Sequence, residues 1–223
     1  MRVFLFLLVV ILILLAGLFG FFYDEIRDFI EDKTHKHRVY KVLYHFAEDT
    51  DTLLLNDCTL FLGKDDLQPT VFDHILVGKK YVYIVKDYVN HGGIYGNLQD
   101  EHLHIKNKTG KYIQIENEVL KNYKNLLKLE KVINISHEDR LFVSVVCYNN
   151  SLFVPKGIAV KDFGNWFLKI GDLEKTLKQA ENDNVPPITD ANSEELINIL
   201  ENNSMRTKQQ IEQIKAERKK GNL

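Results

Sequence analysis

The sequence predicts an α/β domain built on a mixed central sheet flanked by helices, preceded by one N-terminal transmembrane helix and followed by a helical tail. Three observations predict it. Residues 1–23 hold 20 hydrophobic residues and a single charge, Arg2. Near residue 50 the hydrophobic pattern changes from helical spacing to runs of β-branched and aromatic residues bounded by Gly, Asn and Asp. Those strand-type runs are later interrupted by a helix-type segment and then resume, an order in which parallel and antiparallel pairing coexist.

Composition sets the outer limits. The chain has 223 residues, 45% hydrophobic and 27% charged, with a formal net charge of -2. Without the first 23 residues the remainder is about 40% hydrophobic, ordinary for one globular domain plus a tail. That excludes a polytopic membrane protein, a disordered chain and a fibrous repeat. The near-neutral balance excludes a surface basic all round and leaves room for local basic patches. Two cysteines, Cys58 and Cys147, cannot form a zinc framework or staple a miniprotein, and they fit a reducing compartment.

From Val3 to Tyr23 every residue is apolar, glycine or tyrosine. As a helix this run reaches about 30 Å, the thickness of a hydrocarbon core. A cleaved signal peptide is the competing reading. Against it, the apolar run is longer than the usual h-region, no A-x-A-like site follows, and only Arg2 precedes it. An uncleaved anchor at residues 1–23 is the favoured reading. Arg27, Lys33, Lys36 and Arg38 follow the span, so the positive-inside rule places the soluble part in the cytoplasm of a single-pass protein of the cell membrane.

Residues 24–35 form a charged juxtamembrane helix or linker, and the domain occupies 36–182. Val39, Val42, Leu43 and Phe46 make the stripe of an amphipathic helix. Strands are expected over 53–62, 71–77 and 81–88, with a loop at Gly63–Asp66, a tight turn at Gly78–Lys80 and another turn at Asn90–Gly93. Short strands follow near 102–106 and 111–115, then a helix over about 117–131, a buried strand at 141–148 and a last domain helix from Gly171 to about Asn182. Residues 183–192, with Pro186-Pro187, form a linker. Residues 193–223 are a helical tail, capped by Ser193 and basic at its end. A solvated helix is its plain reading; nucleic acid or anionic lipid is the other.

Chemistry concentrates in residues 71–97. Asp73 and Lys86 are charges inside apolar strands, and a buried charge needs a partner or water. If Gly78–Lys80 closes a hairpin, the two lie equally far from its midpoint and become cross-strand neighbours. Two readings stand: a structural ion pair at a sheet edge, or the remnant of a metal-dependent nuclease centre.

Four segments in order, V-F-D-H-I-L-V, G-K-K-Y-V-Y-I-V-K-D-Y, G-G-I-Y-G-N and N-E-V-L-K-N-Y-K-N-L-L-K-L-E, carry a resemblance. Residues from about 36 to 150 resemble the nuclease-related domain (NERD) family, whose fold is restriction-endonuclease-like. The resemblance implies that Asp73 matches the family's metal-binding Asp and Lys86 its catalytic Lys. In an active member Asp73 would hold Mg²⁺ and Lys86 would stabilise the phosphate or water. The departures are large. Ile84 stands at the Glu of the family's E-x-K, Val71 at the Glu two residues before the Asp, Lys36 at the Glu of the first helix, and Lys121 at a Gln of the later helix. Asp87 follows Lys86 and points to the opposite face of the strand, so it does not replace the missing ligand. Glu116 or Glu118 would have to migrate in to do so. The implied function is a membrane-anchored, nucleic-acid-associated pseudoenzyme with lost or weak Mg²⁺-dependent phosphodiesterase activity. The alternative is a non-catalytic membrane-tethered scaffold whose tail, with Ile197, Leu200, Ile211 and Ile214, binds a protein partner.

His35, His37, His74, His91, His102 and His104 lack zinc-like spacing and read as polar surface histidines. Cys58 and Cys147 lie in apolar runs and read as core thiols. No phosphate-binding glycine loop, dinucleotide fingerprint, G-x-S-x-G or H-E-x-x-H occurs.

Overall fold

The computed structural model describes residues 2–60, 62, 69–107, 109–133, 142–155, 161–162, 164–188 and 194–200. A single helix, α1 (Arg2–Thr50), opens the chain. Before residue 22 only the side chains at 4, 11–13 and 20 are described, so the expected anchor at 1–23 lies mostly outside the described side chains. Among the described residues no helix is long and apolar enough to cross a membrane.

Three strands follow: β1 (Leu53–Leu60), β2 (Thr70–Val77) and β3 (Val82–Tyr88). They pair antiparallel, and the β2–β3 hairpin runs Val77↔Val82 to His74↔Val85. After β4 (Gly92–Tyr95), β5 (His102–Lys106), β6 (Tyr112–Glu116) and helix α2 (Glu118–Ile133), the chain returns as β7 (Phe142–Tyr148), parallel to β3. Next come β8 (Leu152–Phe153), β9 (Lys161–Asp162) and β10 (Asn165–Lys169), then a 3-10 turn at Ile170–Asp172 and helix α3 (Leu173–Glu181). The main sheet has the order β1-β2-β3-β7-β10-β9, and β10 is parallel to β7. The expected mixed sheet flanked by helices is present.

The sequence pattern missed a second sheet, of order β6-β5-β4-β8, and strand β10. Gly92 and Gly93, read as a turn, belong to β4. At Gly92 the backbone is left-handed (φ 97), and a Cβ would run into the Lys106 carbonyl. Glycine therefore serves close strand approach here, not chain reversal. The Gly63–Asp66 loop and Ser193 lie outside the described residues.

Each face of the main sheet buries an apolar layer. On one side Val39, Leu43 and Phe46 of α1 and Leu173, Leu177 and Ala180 of α3 cover Leu76, Tyr83, Val85, Val143 and Val145. The predicted α1 stripe is thus the packed one; burying each of its large residues contributes about 1.5–3 kcal/mol. On the other side Leu126, Leu129 and Ile133 of α2 cover Ile75, Val77, Val82 and Ile84. Leu196 and Leu200, each 1% exposed, join this second layer, so the first turns after the linker are part of the core. The tail beyond residue 200, with Ile211 and Ile214, lies outside the described residues.

Glu181, at the end of α3, holds the β2–β3 turn. Its carboxylate accepts from the backbone N–H of Lys79 (3.0 Å) and Lys80 (3.1 Å) and from the Tyr83 hydroxyl (2.8 Å). Gly78 leaves room for it, since a Cβ there would meet the carboxylate. Burial, then the nearby Glu181 charge, pushes the Tyr83 hydroxyl well above its ordinary value, so Tyr83 stays a donor. Glu181→Ala strands the Tyr83 hydroxyl and two N–H groups and is expected to cost about 2–3 kcal/mol. Urea denaturation of the full chain in detergent measures it; Glu181→Gln should recover part of the loss.

Candidate functional site

The hairpin register puts Asp73 and Lys86 one step beyond the His74↔Val85 pair, and they form the expected ion pair at 2.9 Å. Their side chains are 14% and 33% exposed, a rim position rather than a sealed one. The same Asp73 oxygen accepts the Asp87 backbone N–H at 3.0 Å. Across β1 the ladder pairs Asn56 with His74 and Cys58 with Phe72 and skips Asp57, which is left-handed (φ 51). That break turns Asp57 toward α1, where it pairs with Lys36. The Lys36 ammonium is held above its ordinary value first by its hydrogen bond to Asp57, and further by the charges of Asp57, Asp73 and Asp87. Two lysines from different elements, Lys86 and Lys36, therefore compensate Asp73 and Asp57.

On the opposite face of the hairpin, as strand alternation requires, Asp87 meets His74. His74 Nε2 lies 3.2 Å from both Asp87 carboxylate oxygens, and Nδ1 lies 2.6 Å from Asn56 Oδ1. His74 is 1% exposed. The surface reading of the histidines fails here and at His35, which is fully buried and donates from Nε2 to the Cys147 carbonyl at 3.0 Å. His35 precedes Val39 by four residues, so the α1 stripe could have revealed it. Cys147 is fully buried as expected, while Cys58 is only partly so.

The carboxyl ends of β3 and β7 close on α1 through a second polar cluster. Glu31 accepts from Asn149 Nδ2 (2.7 Å) and the Ser151 N–H (3.1 Å), and Asn149 Oδ1 accepts the Asn90 N–H (3.1 Å). His91 bridges to Asp32 (2.9 Å) and lies 3.5 Å from Asp28. In α2, Asn122 donates to Ile84 O, Ser144 Oγ and Val145 O, tying β3 to β7 under the centre. Asn117 caps α2 by accepting the Val119 and Leu120 N–H groups. From the sequence, Glu31 falls in a charged juxtamembrane segment, Asn90 in a turn and Asn117 at a helix start, and the clamping roles of Glu31, Asn122 and Asn149 go unseen.

A divalent cation does not fit the residues present. The Asp73 oxygen is taken by Lys86 and the Asp87 N–H, Asp87 by His74, and Asp57 by Lys36. Glu116 and Glu118 do not come to the rescue, because both bind Lys121 at the start of α2. Among the described residues no three His, Cys, Asp or Glu side chains converge as a metal site. The arrangement is a set of internally paired charges, Lys86 with Asp73, Lys36 with Asp57 and His74 with Asp87.

Glu31 carries the pH dependence of the α1 contact. Burial alone would raise its carboxyl value, but the hydrogen bonds from Ser151 and Asn149 bring it below the ordinary 4.5. Its contribution to stability is therefore complete above about pH 4.5 and is lost as pH falls through the depressed folded value. Urea melts between pH 7 and pH 3 should show the native chain losing stability more steeply below pH 4.5 than Glu31→Gln; parallel curves would contradict this origin.

The family comparison fits this geometry. The model of the nuclease-related domain matches residues 32–149, from the docked part of α1 through β7. No curated protein and no solved structure matches the chain. The family match spans more than half of the 223 residues and takes in both Asp73 and Lys86, and the chain belongs to the nuclease-related domain (NERD) family.

Proposed function

We propose that this chain is a membrane-anchored nuclease-related protein that associates with nucleic acid and has lost, or retains only weakly, Mg²⁺-dependent phosphodiester cleavage. One observation carries the reading: the carboxylates of the centre are neutralised from within, Asp57 by Lys36 and Asp73 by Lys86. Lys36, Val71 and Ile84 stand where the family resemblance expects acids. A restriction-endonuclease-like arrangement with those three replaced keeps the strands and the lysine but not the ligand set. Without ligands there is no route to a metal-activated water, and the nucleic-acid association rests on the family match.

The anchor part rests on the apolar run 3–23, which continues without a break into the docked half of α1. Because Glu31 and His35 already bind the domain, a span ending at Tyr23 would hold the domain about 12 Å from the bilayer surface. On this reading the domain lies in the cytoplasm, at the cell membrane.

The test is a cleavage and binding assay of the full chain in detergent with labelled DNA and RNA, in Mg²⁺ and in Mn²⁺. Expected are no cleavage above the Asp73→Ala background and binding that weakens steeply between 50 and 200 mM salt, by about threefold for each phosphate contact. Cleavage abolished by Asp73→Ala and by Lys86→Ala would overturn the inactive reading. Separately, alkaline carbonate washing should leave the chain in the membrane pellet; release into the supernatant would remove the anchor.

A further inference from the structure

We infer that the outward face of the β4–β5–β6 sheet is a stacking platform for single-stranded nucleic acid. Strand pairing fixes which residues share that face. Gly93, Lys106 and Tyr112 form one cross-strand row, Tyr95, His104 and Gln114 the next, and His102 with Glu116 the last. The other face carries Ile94, Leu103 and Ile105, buried against Val119, Val146 and Phe167. The sheet is therefore anchored by its apolar side and presents the other to solvent.

The outward face is not an ordinary solvated surface. Tyr112 is 54% exposed on the edge strand. The Tyr95 ring meets it edge-on, with centroids 5.7 Å apart, and the Lys106 ammonium lies 5.6 Å from the Tyr112 centroid. Gly93 is what lets the Tyr95 ring lie flat, since a Cβ there would come within 3.0 Å of that ring. Two ordered rings, one ammonium, an imidazole and an amide thus share about three strand widths. Aromatic faces accept bases of any sequence, Gln114 and His104 can bond base edges, and lysines meet phosphates.

Charge complementarity selects the occupant. Lys106 and the exposed Lys111 flank the rings, and Glu116, the only carboxylate of the three rows, is already bound by Lys121. Glu116 and Glu118 bind Lys121, and Glu101 binds Lys124, so the positive charge beside the rings comes from Lys106 and Lys111. The occupant is a strand of about two or three nucleotides stacked on the tyrosines, its phosphates met by Lys106 and Lys111. A duplex, whose bases are stacked internally, could not use the rings.

The inference rests on the nucleic-acid part of the proposed function and is independent of the Asp73–Lys86 centre. The experiment uses the full chain in neutral-lipid nanodiscs and fluorescence anisotropy with labelled oligo-dT, oligo-U and a duplex of equal length, at low salt. Single strands are expected to bind more tightly than the duplex. Tyr95→Ala and Tyr112→Ala should each weaken single-strand binding by roughly tenfold, with Tyr112→Phe close to native. Lys106→Ala should reduce the salt dependence by about one phosphate contact. Single-strand binding untouched by both tyrosine changes but weakened by Lys36→Ala or Lys86→Ala would overturn the platform and leave the proposed function standing. No binding to any nucleic acid at low salt would remove both.

Discussion

Strand β3 is paired antiparallel to β2 on one side and parallel to β7 on the other, and the rest of the molecule is arranged around that choice. A parallel neighbour cannot be reached by a tight turn, so 53 residues separate the end of β3 from the start of β7. Those residues build three strands of the second sheet, β4, β5 and β6, and α2. A strand buried on both faces needs cover on both: α2 supplies one layer, and α1 with α3 the other. The carboxyl ends of β3 and β7 then lie side by side, and their freed polar groups are met by Glu31, His35 and Asn149.

The candidate centre follows from the same strand. Its antiparallel side fixes the Asp73–Lys86 pair by register, while alternation sends Asp87 to the other face and into contact with His74. Each of these charges is costly near an apolar core unless compensated, and the compensation is local and complete. Lys36 extends it to Asp57, where the β1 ladder opens. The cluster holds an Asp and a Lys paired across the hairpin, and the ammonium groups of Lys86 and Lys36 neutralise Asp73 and Asp57. Val71 is exposed on its strand and Ile84 is fully buried against the α2 layer, where an apolar side chain fits the core.

Much of this was legible because it is local. The α1 stripe of Val39, Leu43 and Phe46, the Gly78–Lys80 hairpin and the α2 segment are written in periods of 3.6 and 2 and in turn residues. What escaped was short or non-local. Strand β10 is five residues long behind Gly164, and β8 and β9 have two residues each, too few for a periodic signal. Gly92 and Gly93 carry the composition of a turn, yet they sit in a strand because the Lys106 backbone passes too close for a side chain at Gly92.

By itself, then, the sequence determined the longer helices and strands in their order, the family, and the register that joins Asp73 to Lys86, since periodicity, collinear motifs and turn position record each of these. Only the tertiary structure decided which polar groups are spent on one another. Glu31 and Asn149 are 118 positions apart, His35 and Cys147 112, and Tyr83 and Glu181 98. Burial of His35 and His74 was decided there too. Such contacts are set by how layers stack and how helices rotate on a sheet, and no periodicity in the chain records them.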